Sequence, residues 1–586
     1  MNRCLPILAL ASLLLTPDQG FGAQPLPVRR RSTIPLIELA DQKYRQIIVD
    51  REEGQYRVRL MDNHKALDCA YPSVDVLPDG TFVATTYGHG NESEQPYIIG
   101  VRFTQTELDG PAKARSGPAR KTARTPIPVD MTIDGADANR TGRVGTMPPS
   151  PERPRLLVLT DISSLTAGVA EPDDGQSLIR LMLYADEFDI EGLVATSNLG
   201  HGQRTRPDLI RRVVDAYGTV RPNLLLHDDR YPPAPRLAGV VKAGQPIAGP
   251  KVPVERSVGE GKDTEASEWI IAVVDRPDPR PVWVVIWGGS ADLAQALWKV
   301  RATRTPERMA RFITALRVHA IGDQDATGPW IREQFPNLLT ITQRRAFRGM
   351  YRGGDTRLVS PEWVEANIHG HGRLGDLYPS YNGGDNRTTK LGRVRGIKEG
   401  DTPSFLSLVP NGLSDRERPW LGSWGGRFEG EARLLAEVAD TDLDTSGDPD
   451  PWMSSVYRWR PAFQADFAAR LDWCFRPFAG ANHPPVVRIL GEGVRVVEPG
   501  AAVVLDATGS IDPDGDGLAF SWGLYPALPD VSPGINIEGR DTSQARVVIP
   551  REWAGKTIPI LLAVTDRGHP KLTRYGRVLI SLRKNE

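Results

Sequence analysis

Between Arg155 and about residue 480, short uninterrupted apolar runs alternate with longer stretches in which apolar and polar residues mix. The runs are Leu156-Leu-Val-Leu159, Ile190 to Ala195, Val282 to Trp287, Leu316 to Ile321 and Leu338 to Ile341. Runs this short and this apolar fit strands buried on both faces. The stretches Gln176–Tyr184, Pro207–Tyr217, Glu265–Asp275, Ala291–Val300 and Pro306–Thr314 read as helices. Strand alternating with helix predicts a parallel sheet with helices on both faces, an α/β domain over 155–480.

The flanks follow other patterns. Residues 40–108 are strand-like, with two strands expected around the Asp79-Gly80 turn. Residues 111–154 are rich in Pro, Gly, Ala, Thr and Arg, and carry Lys113, Arg115, Arg120, Lys121 and Arg124 without an intervening acid. No apolar period survives there, so the segment reads as a solvated flexible linker. From Asn482 to the C-terminus, strands are expected at Val486–Leu490, Ala501–Leu505, Leu518–Tyr525, Ala545–Ile549, Ile558–Thr565 and Arg574–Leu582. Turn-rich pieces separate them, which predicts a β-sandwich over 482–586. At the other end, Arg3, the apolar run Leu5 to Leu15 and small residues up to Ala23 form a signal-peptide pattern over 1–23. The expected location is secreted or periplasmic, with no integral membrane segment.

Composition adds two exclusions. With 72 Lys+Arg against 73 Asp+Glu the net charge is −1, without the basic excess of a nucleic-acid binder. Three cysteines in 586 residues are too few for a disulfide-built scaffold.

The charge that matters is local. The first strand of the α/β domain ends in Thr160-Asp161, and Glu171-Pro-Asp173-Asp174 opens the next helix. In an open α/β sheet, ligands gather beyond the carboxyl ends of the strands. Either the paired aspartates cap the helix, or they converge with Asp161 on one crevice, where a hard cation such as calcium would offset their repulsion. Asp401, in Lys398-Glu-Gly-Asp401-Thr-Pro-Ser-Phe405, is a fourth acid for the same site, or a helix cap in its own right.

Several ordered motifs carry a family resemblance. They are Thr160-Asp161 with Glu171-Pro-Asp173-Asp174, Phe188 to Thr196, Asp323 to Arg332, Gly400 to Phe405, Asn411-Gly-Leu413, Gly422 to Gly426, and Asp466 to Cys474. Together they resemble the nucleoside-hydrolase-like domain of secreted bacterial proteins labelled cellulose-binding. Asp506 to Gly517 with Trp522 resembles the immunoglobulin-like domains of secreted polysaccharide-active enzymes. In that loop Asp512, Asp514 and Asp516 form either a plain turn or a calcium site. The N-terminal fragment, through Arg51 to Tyr56 and Tyr71 to Thr81, resembles blades of sialidase-like β-propellers, but is too short for a propeller.

The nucleoside hydrolase resemblance implies a calcium site built from Asp161, Asp174, Asp401 and the backbone carbonyl of Ala291. It implies Asp161 or Asp173 as the base that activates water for hydrolysis of a glycosidic bond. Asn198, His201 and Asn411 are candidate sugar contacts; Trp330, Trp420 and Trp424 are candidate stacking faces or core residues. Three positions depart from nucleoside hydrolases: Leu159 replaces the first acid, Ile162 to Pro172 lengthens the loop, and Gly400 replaces a histidine. The expected function is an exported calcium-dependent hydrolase of a carbohydrate or glycoside. The alternative is a non-catalytic cellulose- or polysaccharide-binding protein with a structural metal site. Nucleoside hydrolases commonly assemble, so the resemblance leaves room for a homo-oligomer.

Overall fold

The structure, a computed structural model, describes residues 153–583, apart from 167–171, 198–203, 248, 386–390, 432, 441, 449 and 526–534. Upstream it describes the backbone of six strands. The signal-peptide and linker readings fall outside the described residues, save Arg153 and Pro154 at the linker's end. Two units form, Met1–Arg143 and Val144–Glu586.

In the first unit, β1 (Arg29–Arg31), β2 (Ile34–Glu38) and β3 (Gln46–Ile48) make one antiparallel sheet. β4 (Ser73–Val76), β5 (Phe82–Gly88) and β6 (Tyr97–Phe103) make another. Val76 pairs with Phe82 across the segment that holds Asp79-Gly80, so the expected strand pair forms there.

The second unit is built on eight strands in the order β15-β16-β12-β11-β10-β7-β8-β9. They are β7 (Arg155–Thr160), β8 (Asp189–Ala195), β9 (Val241–Ala243), β10 (Val282–Ile286), β11 (Leu316–Ile321), β12 (Leu339–Gln343), β15 (Phe428–Glu431) and β16 (Leu434–Glu437). Between β12 and β15, β13 (Tyr381–Gly383) and β14 (Val394–Gly396) form a separate antiparallel pair. All pairs are parallel except β15 with β16. Along β7 the side chains alternate between two cores. Leu156 and Val158 pack on one face with Leu178, Met182 and Trp283; Leu157 and Leu159 pack on the other with Val284, Leu293 and Leu297. Burial on both faces is why the run carries no polar residue.

The chain order reverses at β7. From it the sheet grows through β8 and β9 in one direction and through β10, β11 and β12 in the other. The carboxyl ends of β7 and β10 therefore border the switch point where such sheets bind ligands. The helices that matter for the site are α1 (Asp173–Leu183), after β7, and α2 (Ala291–Thr303), after β10. With them stand α3 (Thr327–Gln334), the short α4 (Thr402–Leu406) and α5 (Arg460–Asp472).

The C-terminal part forms a four-stranded sheet, β17 (Val494–Val497), β23 (Thr573–Leu582), β22 (Thr557–Thr565) and β19 (Ala519–Leu524). A three-stranded sheet, β18 (Ala502–Asp506), β21 (Gln544–Val548) and β20 (Asn536–Glu538), faces it. Trp522, Val547, Ile560 and Val578 share the core between them. One expectation is corrected here: Val486–Leu490 is not a strand but contributes a single bridge, Val486 to Ile511. The added strand β17 has exposed Val494 and Val496, against the usual inward pattern.

His319 on β11 fixes a pH dependence. It is fully buried, with Nδ1 3.2 Å from the Ser407 hydroxyl, Nε2 3.2 Å from Gln343 Oε1, and its ring edge-on to Phe428. Burial pushes its pKa from 6.5 down to about 4. The unfolded chain therefore takes up this proton first, and stability falls as pH drops from about 6.5 through about 4. The loss is on the order of 3 kcal/mol. Urea unfolding at pH 7 and pH 4.5 should show His319→Gln losing about 2 kcal/mol less than the wild type between the two; equal losses would exclude His319 as the source.

Candidate metal centre

Asp161 follows directly on β7, at the switch point. It lies so close to Gly288, just beyond β10, that a Cβ there would stand 2.5 Å from the Asp161 Cβ. A side chain at position 288 would push Asp161 out of place. Asp173 and Asp174 open α1, but the residue at its cap is Pro172 and no side chain caps the helix. The capping reading of this pair is therefore set aside. Thr160 donates its hydroxyl to Asp174 Oδ1 instead. Asp401 precedes α4 and likewise makes no side-chain cap; its backbone carbonyl accepts from the Ser404 amide at 3.1 Å and hydroxyl at 2.6 Å.

These placements bring Asp173, Asp174 and Asp401 together. One carboxylate oxygen from each lies within 4.8 Å of the other two, with Asp174 and Asp401 buried and Asp173 half-buried. Asp161 is half-buried beside them, and its charge reaches Asp401. Burial, then the charges of Asp174, Asp173 and Asp161, hold the Asp401 carboxyl well above the usual carboxylate range, with Lys398 opposing. Asp401 Oδ2 and Asp173 Oδ1 are buried without a hydrogen-bond partner. Buried acceptors left unmade are costly. An all-oxygen donor set with orphaned buried oxygens fits a hard divalent cation such as calcium.

Lys398 and Glu399, just ahead of Asp401, carry no recognisable signal in the sequence but belong to this region. The Lys398 side chain is fully buried, with Nζ 3.4 Å from Asp173 Oδ2 and 5.2 Å from the Tyr381 ring centre. Gln176, on α1, holds this segment by accepting from the Lys398 amide at 2.7 Å and donating to the Gly396 carbonyl at 3.0 Å. Glu399 points the other way, into a buried network. It accepts from Arg180 Nε and the Tyr378 hydroxyl at 2.5 Å and from Thr402 Oγ1 at 2.9 Å. Arg180 also donates to Gln464 on α5 at 2.6 Å and stacks 3.7 Å over Phe467. Lys398 and Asp401 thus flank a glutamate anchored to α1 and α5, and this anchor positions them.

The other sequence candidates fall elsewhere. Ala291 is the first residue of α2, buried just past the end of β10. Asn198 and His201 lie outside the described residues. Trp330 on α3 packs edge-on to Phe335, with Arg301 5.6 Å over its ring. Trp424 is fully buried, edge-on to Phe463 and Tyr575, with Arg574 5.7 Å from its ring centre. It offers no open ring face, so its expected sugar contact gives way to packing. Asn411 is buried; its Oδ1 accepts from the Leu413 and Ser414 amides and its carbonyl accepts from the Tyr575 amide at 2.9 Å, which ties the turn to β23, while its Nδ2 has no hydrogen-bond partner. Asp323 pairs with Arg332 and Arg344, and Asp325 binds Ser290 and Thr327, so both acids of that motif are structural.

The acids thus stand at the switch point of a mostly parallel α/β sheet. Residues 155–428 match the family described as "Cellulose-binding Sde182, nucleoside hydrolase-like domain". Residues 502–582 match "Cellulose-binding protein Sde0182, C-terminal domain". A solved structure from Saccharophagus degradans, described as a nucleoside hydrolase-related hypothetical protein associated with carbohydrate metabolism, is 33% identical. The match covers 74% of this chain and 100% of that one, with a TM-score of 0.62. The chain belongs to this family. A PKD domain from the KIAA 1837 protein is 16% identical over 17% of this chain and 89% of that one, with a TM-score of 0.14. No curated protein matches the chain.

Proposed function

We propose that the protein is an exported, calcium-dependent hydrolase of glycosyl bonds acting on a carbohydrate or glycoside. The observation that carries this reading is the convergence of Asp173, Asp174 and Asp401 within 4.8 Å at the switch point of the sheet. Its support is membership in a nucleoside hydrolase-like family. These three carboxylates hold the cation, with Asp161 and the Ala291 carbonyl as further oxygen donors. When bound, the ion supplies Lewis-acid charge that orients sugar hydroxyls and a water. Asp161, half-buried at the end of β7, accepts the water's proton; Asp173 is the alternative base. The water adds its oxygen to the anomeric carbon as the glycosidic bond breaks, through an oxocarbenium-like transition state; the departing oxygen takes a proton from solvent, and Asp161 releases its own to solvent afterwards. Gly400 brings no proton donor to a nucleobase, and the expected exported location favours a carbohydrate or glycoside over a free nucleoside as the substrate class. No helix among the described residues is long and apolar enough to cross a membrane.

On this reading a panel of aryl and oligosaccharide glycosides contains a substrate whose turnover stops on chelation and returns with calcium. Asp161→Asn abolishes that turnover while leaving the circular dichroism spectrum intact. Unchanged turnover in Asp161→Asn would reject the site.

The second reading is a polysaccharide-binding protein without turnover. It is favoured by the cellulose-binding description of the family and by Trp420, which is 43% exposed and free to stack on a sugar ring. It predicts retention on insoluble cellulose that Trp420→Ala reduces; equal retention would remove Trp420 from the interaction.

A further inference from the structure

A lysine sits among the acids that would hold the cation. Lys398 keeps its whole side chain out of solvent, and its ammonium is 3.4 Å from the same Asp173 that shares the pocket with Asp174 and Asp401. Its placement is specified rather than incidental: Gln176 fixes its amide, and Glu399, beside it in the chain, is pinned by Arg180 and Tyr378. Burying an ammonium is unfavourable unless anionic partners compensate it. Four aspartates around one crevice are unfavourable unless a cation compensates them. Each defect answers the other.

We infer that Lys398 is the pocket's built-in counter-cation: it keeps the pocket folded when no divalent ion is bound, and it weakens the binding of that ion. The inference rests on the reading of the acid pocket as a divalent-cation site and goes beyond it by assigning the charge that opposes the ion. With Asp161, Asp173, Asp174 and Asp401 ionised and Lys398 charged, the formal pocket charge is −3; a divalent ion brings it to −1. Without the lysine the pocket would stand at −4 when empty and −2 when filled. The empty state suffers more from losing Lys398, and the filled state gains by losing a like charge beside the ion. Both changes tighten ion binding. The device makes calcium occupancy reversible in a protein whose fold does not depend on the ion.

The test compares the full-length wild type with Lys398→Met, which keeps the apolar stem and removes the charge. Both are stripped with EDTA, dialysed, and followed by calorimetric titration with calcium chloride and by thermal melting with and without the ion. The expected result is calcium affinity at least tenfold higher in Lys398→Met, together with a lower melting temperature of the stripped form that added calcium restores. Equal affinity and equal melting of the stripped forms would overturn the inference while leaving the calcium site standing. If neither protein takes up calcium but stripped Lys398→Met still melts lower, the calcium reading fails and Lys398 stands as the counter-cation. If neither protein takes up calcium and both melt alike, both readings fall. Should Lys398→Met not fold, the charge-balanced pair Lys398→Met/Asp401→Asn is expected to recover folding. Failure of that recovery would overturn the inference.

Discussion

Asp401→Asn is expected to raise the melting temperature of the calcium-free protein while removing its response to calcium. Asp401 is buried, its Oδ2 has no hydrogen-bond partner, and three other carboxylates press on it. The amide keeps the shape and removes the charge. Loss of the charge repulsion, with the amide N–H groups able to donate to the neighbouring carboxylates, is worth about 1–3 kcal/mol, which for a unit as large as Val144–Glu586 shifts melting by roughly 1 °C per kcal/mol. The sign with pH follows from the direction of the shift. A carboxyl held above its ordinary range destabilises the fold when ionised, and that penalty disappears as pH falls through its raised pKa. The advantage of the asparagine should therefore be larger at pH 8 than at pH 5. Calcium affinity should drop by more than about 100-fold, since even partners behind a metal ligand cost 10–100-fold. Thermal melting in EDTA at the two pH values, with calorimetry alongside, checks each part. A less stable asparagine variant at pH 8 in EDTA would mean that the carboxylate makes a stabilising contact and is not held ready for an ion.

That a stability defect should mark the site explains what the sequence could reveal. The five central strands were legible because burial on both faces leaves an unbroken apolar run such as Leu156–Leu159. The edges were not: β9 has three residues, and β16, Leu434–Glu437, carries a half-exposed pattern with no run to recognise. Asp161, Asp173, Asp174 and Asp401 were legible as acids at strand ends and helix starts. Their meeting depends on α4 packing against α1 and β10, elements far apart in the chain, which no local pattern encodes. Lys398 was not legible, because a lysine in a polar segment reads as solvated until its neighbours are known. For Trp424 the sequence left a stacking face and a core position both open, and packing decides it: its segment is where the sandwich docks, and a Cβ at Gly422 would stand 2.4 Å from the Tyr525 ring.

That docking governs the last expectation: a chain ending at residue 480 should fail to fold, rather than fold without its sandwich. Deleting 482–586 would look like a clean way to test a binding module if the sandwich were merely tethered. The contacts say otherwise. Tyr525 donates to the buried Asp440 at 2.9 Å, and Arg574 pairs with the buried Asp466 at 2.6 Å. The Tyr575 amide satisfies the Asn411 carbonyl, and Arg577 donates to the Leu413 and Leu421 carbonyls at 2.8 Å. Tyr575 also closes over Trp424 and Trp459. Each buried polar group stripped of its partner costs about 1–3 kcal/mol, and apolar burial is lost besides. Several such losses together match the roughly 5–15 kcal/mol that holds a typical domain. The segment most exposed by the cut, residues 408–426, runs on directly from α4 and Asp401, so the acid pocket would go with it. Expression of the two lengths, with near-ultraviolet circular dichroism and calcium calorimetry on any soluble product, decides the point. A soluble 1–480 chain with cooperative melting and unaltered calcium affinity would show that the sandwich is dispensable to the site. The expected result, aggregation or loss of tertiary signal, means that carbohydrate retention has to be tested with surface substitutions such as Trp420→Ala in the intact chain.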